Sequence, residues 1–317
     1  QSLIPILKHY RPSNLLVYGK PGTGKTLVVR RVLSKIQERV EKSNFPIKLV
    51  YTNSKEETTL YGLLVSFGRQ LGLSEKELPT TGLSISEVFK RLLRTIDEKS
   101  LNTVFVIDEI DFLAHLVSKT GNDILYQLTR SNERLKSGSL TLIGISNDLT
   151  FKERLDPRVI SSLGEEEIVF TNYTVDQIHK ILEDRISSAF IEDAVEAPAL
   201  NLCAAMAGRE HGDARRAIDL LRVAGEMAER TQSNKVTEEH IRVASTKIEE
   251  DKETTALQSY PLHEKLLIIA VMKASGLSTG EIFTAYKTLC KAIRQKELSQ
   301  RRVTQMLSEI EMSGIIS

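Results

Sequence analysis

The stretch YGKPGTGKTLVV, Tyr18 to Val29, constrains this chain more than any other. Gly19, Gly24, Lys25 and Thr26 satisfy the pattern G-x-x-x-x-G-K-[ST]. Glycines let the backbone curl into a nest of N–H groups that cradles phosphate. Lys25 offers a cation to the β- and γ-oxygens, and Thr26 offers a hydroxyl to magnesium. Upstream, NLLVY (Asn14 to Tyr18) reads as a short buried strand. Downstream, KTLVVRRVLSKIQERV reads as an amphipathic helix. Strand, glycine loop and helix N-terminus together form an anion site. A plain glycine-rich turn is the alternative. The candidate cradle is Gly22, Thr23, Gly24, Lys25, Thr26 and Leu27, with ATP or ADP and Mg2+ as its ligands.

Around this loop the chain alternates strand and helix. Strands read at LLVY, IKLVYTN, TVFVID, LTLIGIS and EEEIVF, mostly as continuous apolar runs. Such runs indicate a parallel sheet buried on both faces. Helices read at Lys25–Lys42, Thr59–Leu71, Ile85–Glu98 and Asn122–Leu135. This is a doubly wound α/β domain over residues 1–169. After Phe170 the strands stop, and four helical patterns make an all-helical second domain over residues 170–250. Thr237 caps the fourth helix, but His240 stands where a capping box wants Glu or Gln. EEDKETTALQ reads as a polar hinge. Three further helical patterns, the last ending at Gly314 before a stub of strand, suggest a winged helix over residues 251–317.

Composition narrows the chemistry. A chain of 317 residues suits two or three domains, and no apolar run is long enough to cross a bilayer. There is no signal peptide, and a start at Gln1 implies a missing natural N-terminus. Cys203 and Cys290 read as inert core thiols, which suits a reducing compartment. The six histidines form no H-x-x-x-H pair. Net charge is +1, so any basic surface must be local.

Other candidates follow from the ends of strands, which face the ligand crevice in such folds. TVFVIDEIDF ends in Asp108 and Glu109. Asp108 suits magnesium, held through its water shell, and Glu109 suits polarising a water. Asp111 reads as a helix cap or surface acid. Asn147, ending LTLIGISND, reads either as a neighbour of the attacking water or as an Asx turn. In GDARRAIDLLR, Asp213 caps a helix with Arg215 and Arg216 in its first turn. The macrodipole opposes cations there, which suggests a fixed anion nearby, with solvated arginines on a helical face as the plainer reading.

These motifs, taken in order with LDPRVISSLGEEEI, resemble the archaeal replication initiators. Those are relatives of the eukaryotic origin recognition complex and its partner helicase loader, in the initiator clade of AAA+ ATPases. The resemblance covers nearly the whole chain. It implies a AAA+ P-loop domain, a helical lid domain and a C-terminal winged-helix domain. It further implies that Lys25 and Thr26 carry phosphate and magnesium, that Asp108 and Glu109 are the Walker B pair, and that Asn147 is the first sensor. Arg215 matches the second sensor, Arg158 the arginine finger that completes a neighbour's site, and Tyr173 and Arg185 lid residues on the nucleotide. Locally, Arg158 also reads as a helix-flanking arginine and Tyr173 as a packed hinge aromatic. Two departures stand out. Only eighteen residues precede Gly19, where the family has a longer segment that helps hold adenine, and the chain ends where the wing should begin.

From Lys287 to Arg302 six basic residues face one acid, Glu297, a local charge of +5. A polyanion partner is the simplest reading, a solvated basic turn the plainer one. Ser299 caps a helix whose exposed candidates for duplex DNA are Gln300, Arg301, Arg302, Thr304 and Gln305. The helix at Thr59–Leu71 is extra for a compact βαβ unit. It reads as a packed helix, or, by the resemblance, as a second DNA contact through Arg69 or an exposed Gln70. The expected protein is a cytoplasmic, nucleoid-associated initiator that binds double-stranded origin DNA and recruits or loads the replicative helicase. Its ATP hydrolysis would be slow and act as a switch, with a second initiator subunit supplying or receiving the finger. A winged-helix transcription regulator or signalling ATPase, or a clamp-loader subunit, are the alternatives. None involves a membrane.

Overall fold

A computed structural model of the chain describes residues 2–8, 10–42, 45–57, 59–117, 124–209, 212–273 and 278–312. All five marked strands form: β1 (Leu15–Gly19), β2 (Ile47–Asn53), β3 (Asn102–Asp108), β4 (Ser139–Ser146) and β5 (Glu166–Phe170). They make one parallel sheet in the order β2-β3-β4-β1-β5. Their carboxyl ends therefore open on one edge, where the loop after β1 meets the ends of β3 and β4.

The apolar runs follow from two covered faces. On one face, α1 (Lys25–Glu41) packs Val29, Leu33 and Ile36 with Val17, Val104, Val106 and Ile145. On the other, α2 (Leu60–Gln70), α3 (Ile85–Glu98), α4 (Ile110–Val117), α5 (Ile124–Thr129) and α6 (Pro157–Leu163) contribute to a core with Phe105, Ile107 and Leu142. Thr59 caps α2 by accepting from the Gly62 N–H at 3.0 Å, and Phe67 stacks on Phe105 of β3 with ring centroids 4.0 Å apart. The edge strand β5 departs from the expected double burial: Ile168 is 40% and Val169 53% exposed. The helix expected from Asn122 to Leu135 is also shorter. It is α5 followed by a 3-10 turn at Ser131–Glu133, and Asn122 lies outside the described residues. α4 follows directly on β3, and no strand-helix punctuation in the sequence announces it.

The chain divides into two compact units, Gln1–Arg222 and Val223–Ser317, and the division falls inside a helix. The helices expected after Phe170 are α7 (Val175–Ala189), α8 (Ala197–Arg209), α9 (Ala214–Arg230) and α10 (Glu238–Ser259). Cys203 is fully buried on α8, and its thiol donates to the Ala217 carbonyl at 3.4 Å. Burial pushes that thiol up to about 12, which keeps it inert. In the second unit α10 runs straight through the segment expected as a hinge. Glu249 to Gln258 holds no Gly or Pro and is rich in good helix formers, so polarity alone does not break it. Its cap is also complete, because His240 Nδ1 accepts from the Thr237 N–H at 3.0 Å, the role a glutamate would fill.

Helices α11 (Leu262–Lys273), α12 (Thr279–Ala292) and α13 (Gln300–Met312) enclose a separate core with Leu267, Tyr286, Val303, Met306 and Ile310. Tyr286 is fully buried, its hydroxyl 2.7 Å from His263 Nδ1 and accepting from the Leu298 N–H at 3.2 Å. These bonds hold the approach to α13. The strand stub after Gly314 lies outside the described residues. Among them, no helix is long and apolar enough to cross a membrane.

Candidate functional site

The loop after β1 needs its glycines. Gly22 and Gly24 have φ of +78° and +84°, the left-handed region that favours glycine. A Cβ on Gly22 would lie 1.9 Å from Asp213 Oδ1, and one on Gly24 2.6 Å from the Tyr173 hydroxyl. The start of the helical region thus presses directly on the loop. Lys25 is only 4% exposed, and its ammonium donates to the carbonyls of Gly19 (2.7 Å) and Lys20 (2.8 Å). Burial lowers its pKa, and the Arg215 guanidinium lowers it further, while Asp108 and Asp111 oppose both. Thr23 donates to the Lys20 carbonyl at 2.8 Å, which tightens the turn, and Leu27 is 65% exposed.

Thr26 donates its hydroxyl proton to Asp108 Oδ2 at 2.9 Å. That leaves the lone pairs of the Thr26 oxygen available. Asp108 Oδ1 accepts from the Glu109 N–H at 3.0 Å. Glu109 itself has φ +54°, an uncommon conformation for a non-glycine residue. Its Oε2 lies 3.0 Å from Lys55 Nζ, yet receives no well-formed hydrogen bond. Hydroxyl and carboxylate oxygens beside a glycine nest are hard donors, the set magnesium takes, so the residues fit a nucleotide with Mg2+.

Asn147 stands just past β4, whose Ile145 is in register with Asp108. Its N–H donates to Asp111 Oδ1 at 3.3 Å, beside the Ser146 hydroxyl at 2.9 Å. Asp111 is therefore half-buried and ties α4 to the end of β4, rather than capping a helix or facing solvent. Asp213 does cap α9, accepting from the N–H groups of Arg215 (2.8 Å) and Arg216 (3.4 Å). The Ala214 N–H reaches the Gly22 carbonyl at 3.4 Å. Arg215 is exposed and near enough to act on Lys25, whereas Arg216 is half-buried. Tyr173 is brought to the loop, whereas Arg185 is exposed on α7.

Arg158 lies on α6, away from these bonds. Its guanidinium pairs with Asp156 through Nε (3.0 Å) and Nη2 (2.8 Å) and lies 5.0 Å from the Tyr126 ring centre. On α13, Arg302 N–H donates to the Ser299 hydroxyl at 3.4 Å. Gln300, Arg301, Arg302, Thr304 and Gln305 are exposed, and Val303, Met306 and Leu307 turn inward. The Thr304 hydroxyl donates to the Gln300 carbonyl at 3.0 Å. Lys287 does not join the free basic face: it lies 3.9 Å from Glu297 and 4.6 Å from the Phe283 ring centre. Arg69 is half-buried on α2. Gln70, expected exposed, is half-buried too, and its carboxamide bonds the backbone of Tyr51 on both sides.

Two residues were missed in the sequence. Lys55, just past β2, pairs with Glu109. Tyr51 donates its hydroxyl to Asp108 Oδ2, and burial followed by that bond raises it to about 12. The signal was the register. Tyr51 pairs with Val106, two residues before Asp108, so both side chains share the sheet face under α1.

Comparison with known proteins agrees with this geometry. Family profiles match in series: a AAA domain over residues 8–151, a Cdc6 AAA+ ATPase-type lid domain over 179–246 and a CDC6 C-terminal winged helix domain over 255–317. An ORC1-type DNA replication protein of Cenarchaeum symbiosum is 72% identical over 316 residues, covering 100% of this chain and 77% of that protein. One from Thermococcus kodakarensis is 44% identical over 324 residues, covering 99% and 77%. The Aeropyrum pernix ORC1 protein, solved in complex with DNA, superposes with a TM-score of 0.79 at 41% identity, covering 99% of this chain and 81% of that one. Sequence identity, domain series and fold concur: the chain belongs to the ORC1-type DNA replication proteins.

Proposed function

We propose that this protein is an ATP-switched initiator that binds double-stranded origin DNA and helps recruit or load the replicative helicase in the cytoplasm. The observation that supports this best is the gathering of Lys25, Thr26, Asp108, Glu109 and Arg215 at one edge of the sheet, in a chain whose separate C-terminal core exposes Arg301 and Arg302. The working division is a nucleotide domain over 1–169, a lid over 170–250 and a DNA-binding domain over 251–317.

In this reading the N–H groups from Gly22 to Leu27 hold the phosphates, and Lys25 exchanges its two loop carbonyls for phosphate oxygens. Thr26 and Asp108 hold Mg2+, which when bound offsets the phosphate charge. Glu109 takes a proton from the attacking water, and Asn147 orients that water. Arg215 and Tyr173 report nucleotide to the lid, with Arg185 as a further contact on closure. Arg158 completes the site of a second initiator subunit once it leaves Asp156. Hydrolysis is slow for that reason. On DNA, α13 enters the major groove with Gln300, Arg301, Arg302, Thr304 and Gln305, and Arg69 of α2 makes a second contact from the nucleotide domain.

Footprinting on the protein's own chromosomal DNA, with ATP and with ADP, tests the reading. Protection clustered at the site where replication starts, and changed by the nucleotide, is expected. Uniform protection along the DNA, or none, would reject origin binding. Helicase subunits retained on the DNA-bound protein would support the loading step.

A further inference from the structure

Tyr51 has no part in the roles above, yet it is held from three sides. Its ring lies under α1, with the Arg30 guanidinium 4.3 Å from the ring centre. Its backbone N–H donates to Gln70 Oε1 at 3.1 Å, and its carbonyl accepts from Gln70 Nε2 at 2.9 Å. β2 is an edge strand, so its outward peptide groups have no neighbouring strand. The Gln70 carboxamide supplies both missing bonds there. With the backbone fixed, the Tyr51 hydroxyl donates to Asp108 Oδ2, the same oxygen that accepts from Thr26 at 2.9 Å. Asp108 Oδ1 accepts from the Glu109 N–H at 3.0 Å.

A carboxylate offers about four lone-pair sites. Three donors on two oxygens fix the plane of Asp108, and only one of the three comes from the nucleotide loop. A phenol suits the task because it is neutral and donates a single proton, so it orients the carboxylate without bringing a positive charge to a cation site. We infer that Tyr51 is a positioning residue of the nucleotide site: its hydroxyl sets the Asp108 carboxylate against Thr26, and Gln70 of α2 sets Tyr51. This rests on the reading of Thr26 and Asp108 as the magnesium-holding pair. It also places the last turn of α2 two side chains from that pair.

The test is a magnesium titration of the whole chain with a fluorescent ADP analogue, read as nucleotide affinity in EDTA and as the midpoint of the magnesium response. Tyr51→Phe keeps the ring and removes one bond. Its midpoint should rise about 10-fold, as is usual when the partner of a metal ligand is lost, with affinity in EDTA changed by less than about 2-fold. Gln70→Leu should move the midpoint the same way, by about 3-fold. A plain packing role would weaken binding equally with and without metal. That result, or an unmoved midpoint in Tyr51→Phe, overturns the inference. Should Tyr51→Phe fail to fold, an unmoved midpoint in Gln70→Leu overturns it instead. A parent protein that binds the analogue with no magnesium response takes down the nucleotide reading as well; a responsive parent whose variants keep the parent's midpoint takes down the inference alone.

Discussion

The loop around Lys25 and the helix α13 both carry cations, but they hold them in opposite ways. Lys25 is nearly buried, tied to two carbonyls and lowered in pKa by burial and then by Arg215. Arg301 and Arg302 stand exposed on a helix whose inner face is closed by Val303, Met306 and Leu307. A charge held in low dielectric acts strongly on few atoms, while an exposed charge is screened within a Debye length and acts weakly on many. Losses at the first site should therefore be large and local. Losses at the second should be small, additive and dependent on salt.

The largest effect should come from Glu109. Glu109→Gln keeps the shape and loses the base, so hydrolysis should slow by about 10²–10⁴-fold, with ATP affinity close to the parent's. Single-turnover kinetics beside equilibrium binding separates the two quantities. Normal turnover would remove Glu109 from the chemistry and leave its Lys55 pairing as its role. Lys25→Ala comes next. Removing one partner of a desolvated charge pair costs about 2–5 kcal/mol, so ADP binding by calorimetry should fall beyond easy measurement. If Lys25→Ala lost no more on nucleotide than Arg301→Ala loses on DNA, burial would not be what distinguishes the two regions.

On DNA, Arg301→Ala and Arg302→Ala should each lower the slope of log affinity against log salt by about one if they meet phosphate. One that reads guanine should instead cost roughly 1–3 kcal/mol at the preferred site only. Lys287→Ala is the internal control. Its charge is spent on Glu297 and the Phe283 ring, so its salt slope should match the parent's. An unchanged slope in the Arg301/Arg302 double variant would remove α13 from the interface.

The same contrast governs what the sequence could reveal. The P-loop is a local pattern, and the strands are continuous apolar runs, so Lys25, Thr26 and all five strands were readable. Asp108 and Glu109 were readable because they end such a run. What escaped depends on register between distant segments. Tyr51 looks like any strand aromatic until β2 is laid against β3, and Lys55 like any turn lysine until Glu109 takes its left-handed φ. Gln70 looked like a surface glutamine because nothing nearby shows that its partner is the open edge of β2. The polar run in α10 misleads for another reason: its charge reads as a break, although the residues favour helix. On α13 the exposed residues were all readable, since a helix with its own core needs only the 3.6-residue period.

The smallest effect decides whether burial or domain is the real variable. Asp156 and Arg158 lie in the same compact unit as the loop around Lys25, yet the Arg158 side chain is 70% exposed. If burial matters, this pair should behave like the charges of α13. The Arg158 bonds pull the Asp156 carboxyl from its ordinary 3.8 down to about 2. A depressed carboxyl stabilises the fold above its unfolded pKa, and that contribution fades as pH falls toward the folded value. Asp156→Asn keeps a helix-capping side chain and removes the charge. The parent should therefore melt only about 1 °C above Asp156→Asn near pH 7 in low salt. That difference should shrink from pH 4 downward, and shrink with added salt at neutral pH. In assembled protein the same variant should remove one hold on Arg158 and leave its Tyr126 contact, so hydrolysis at a subunit junction should rise if Asp156 restrains the finger. A melting difference of several degrees that survives high salt would show an exposed pair acting like a buried one, and the division by burial would fail.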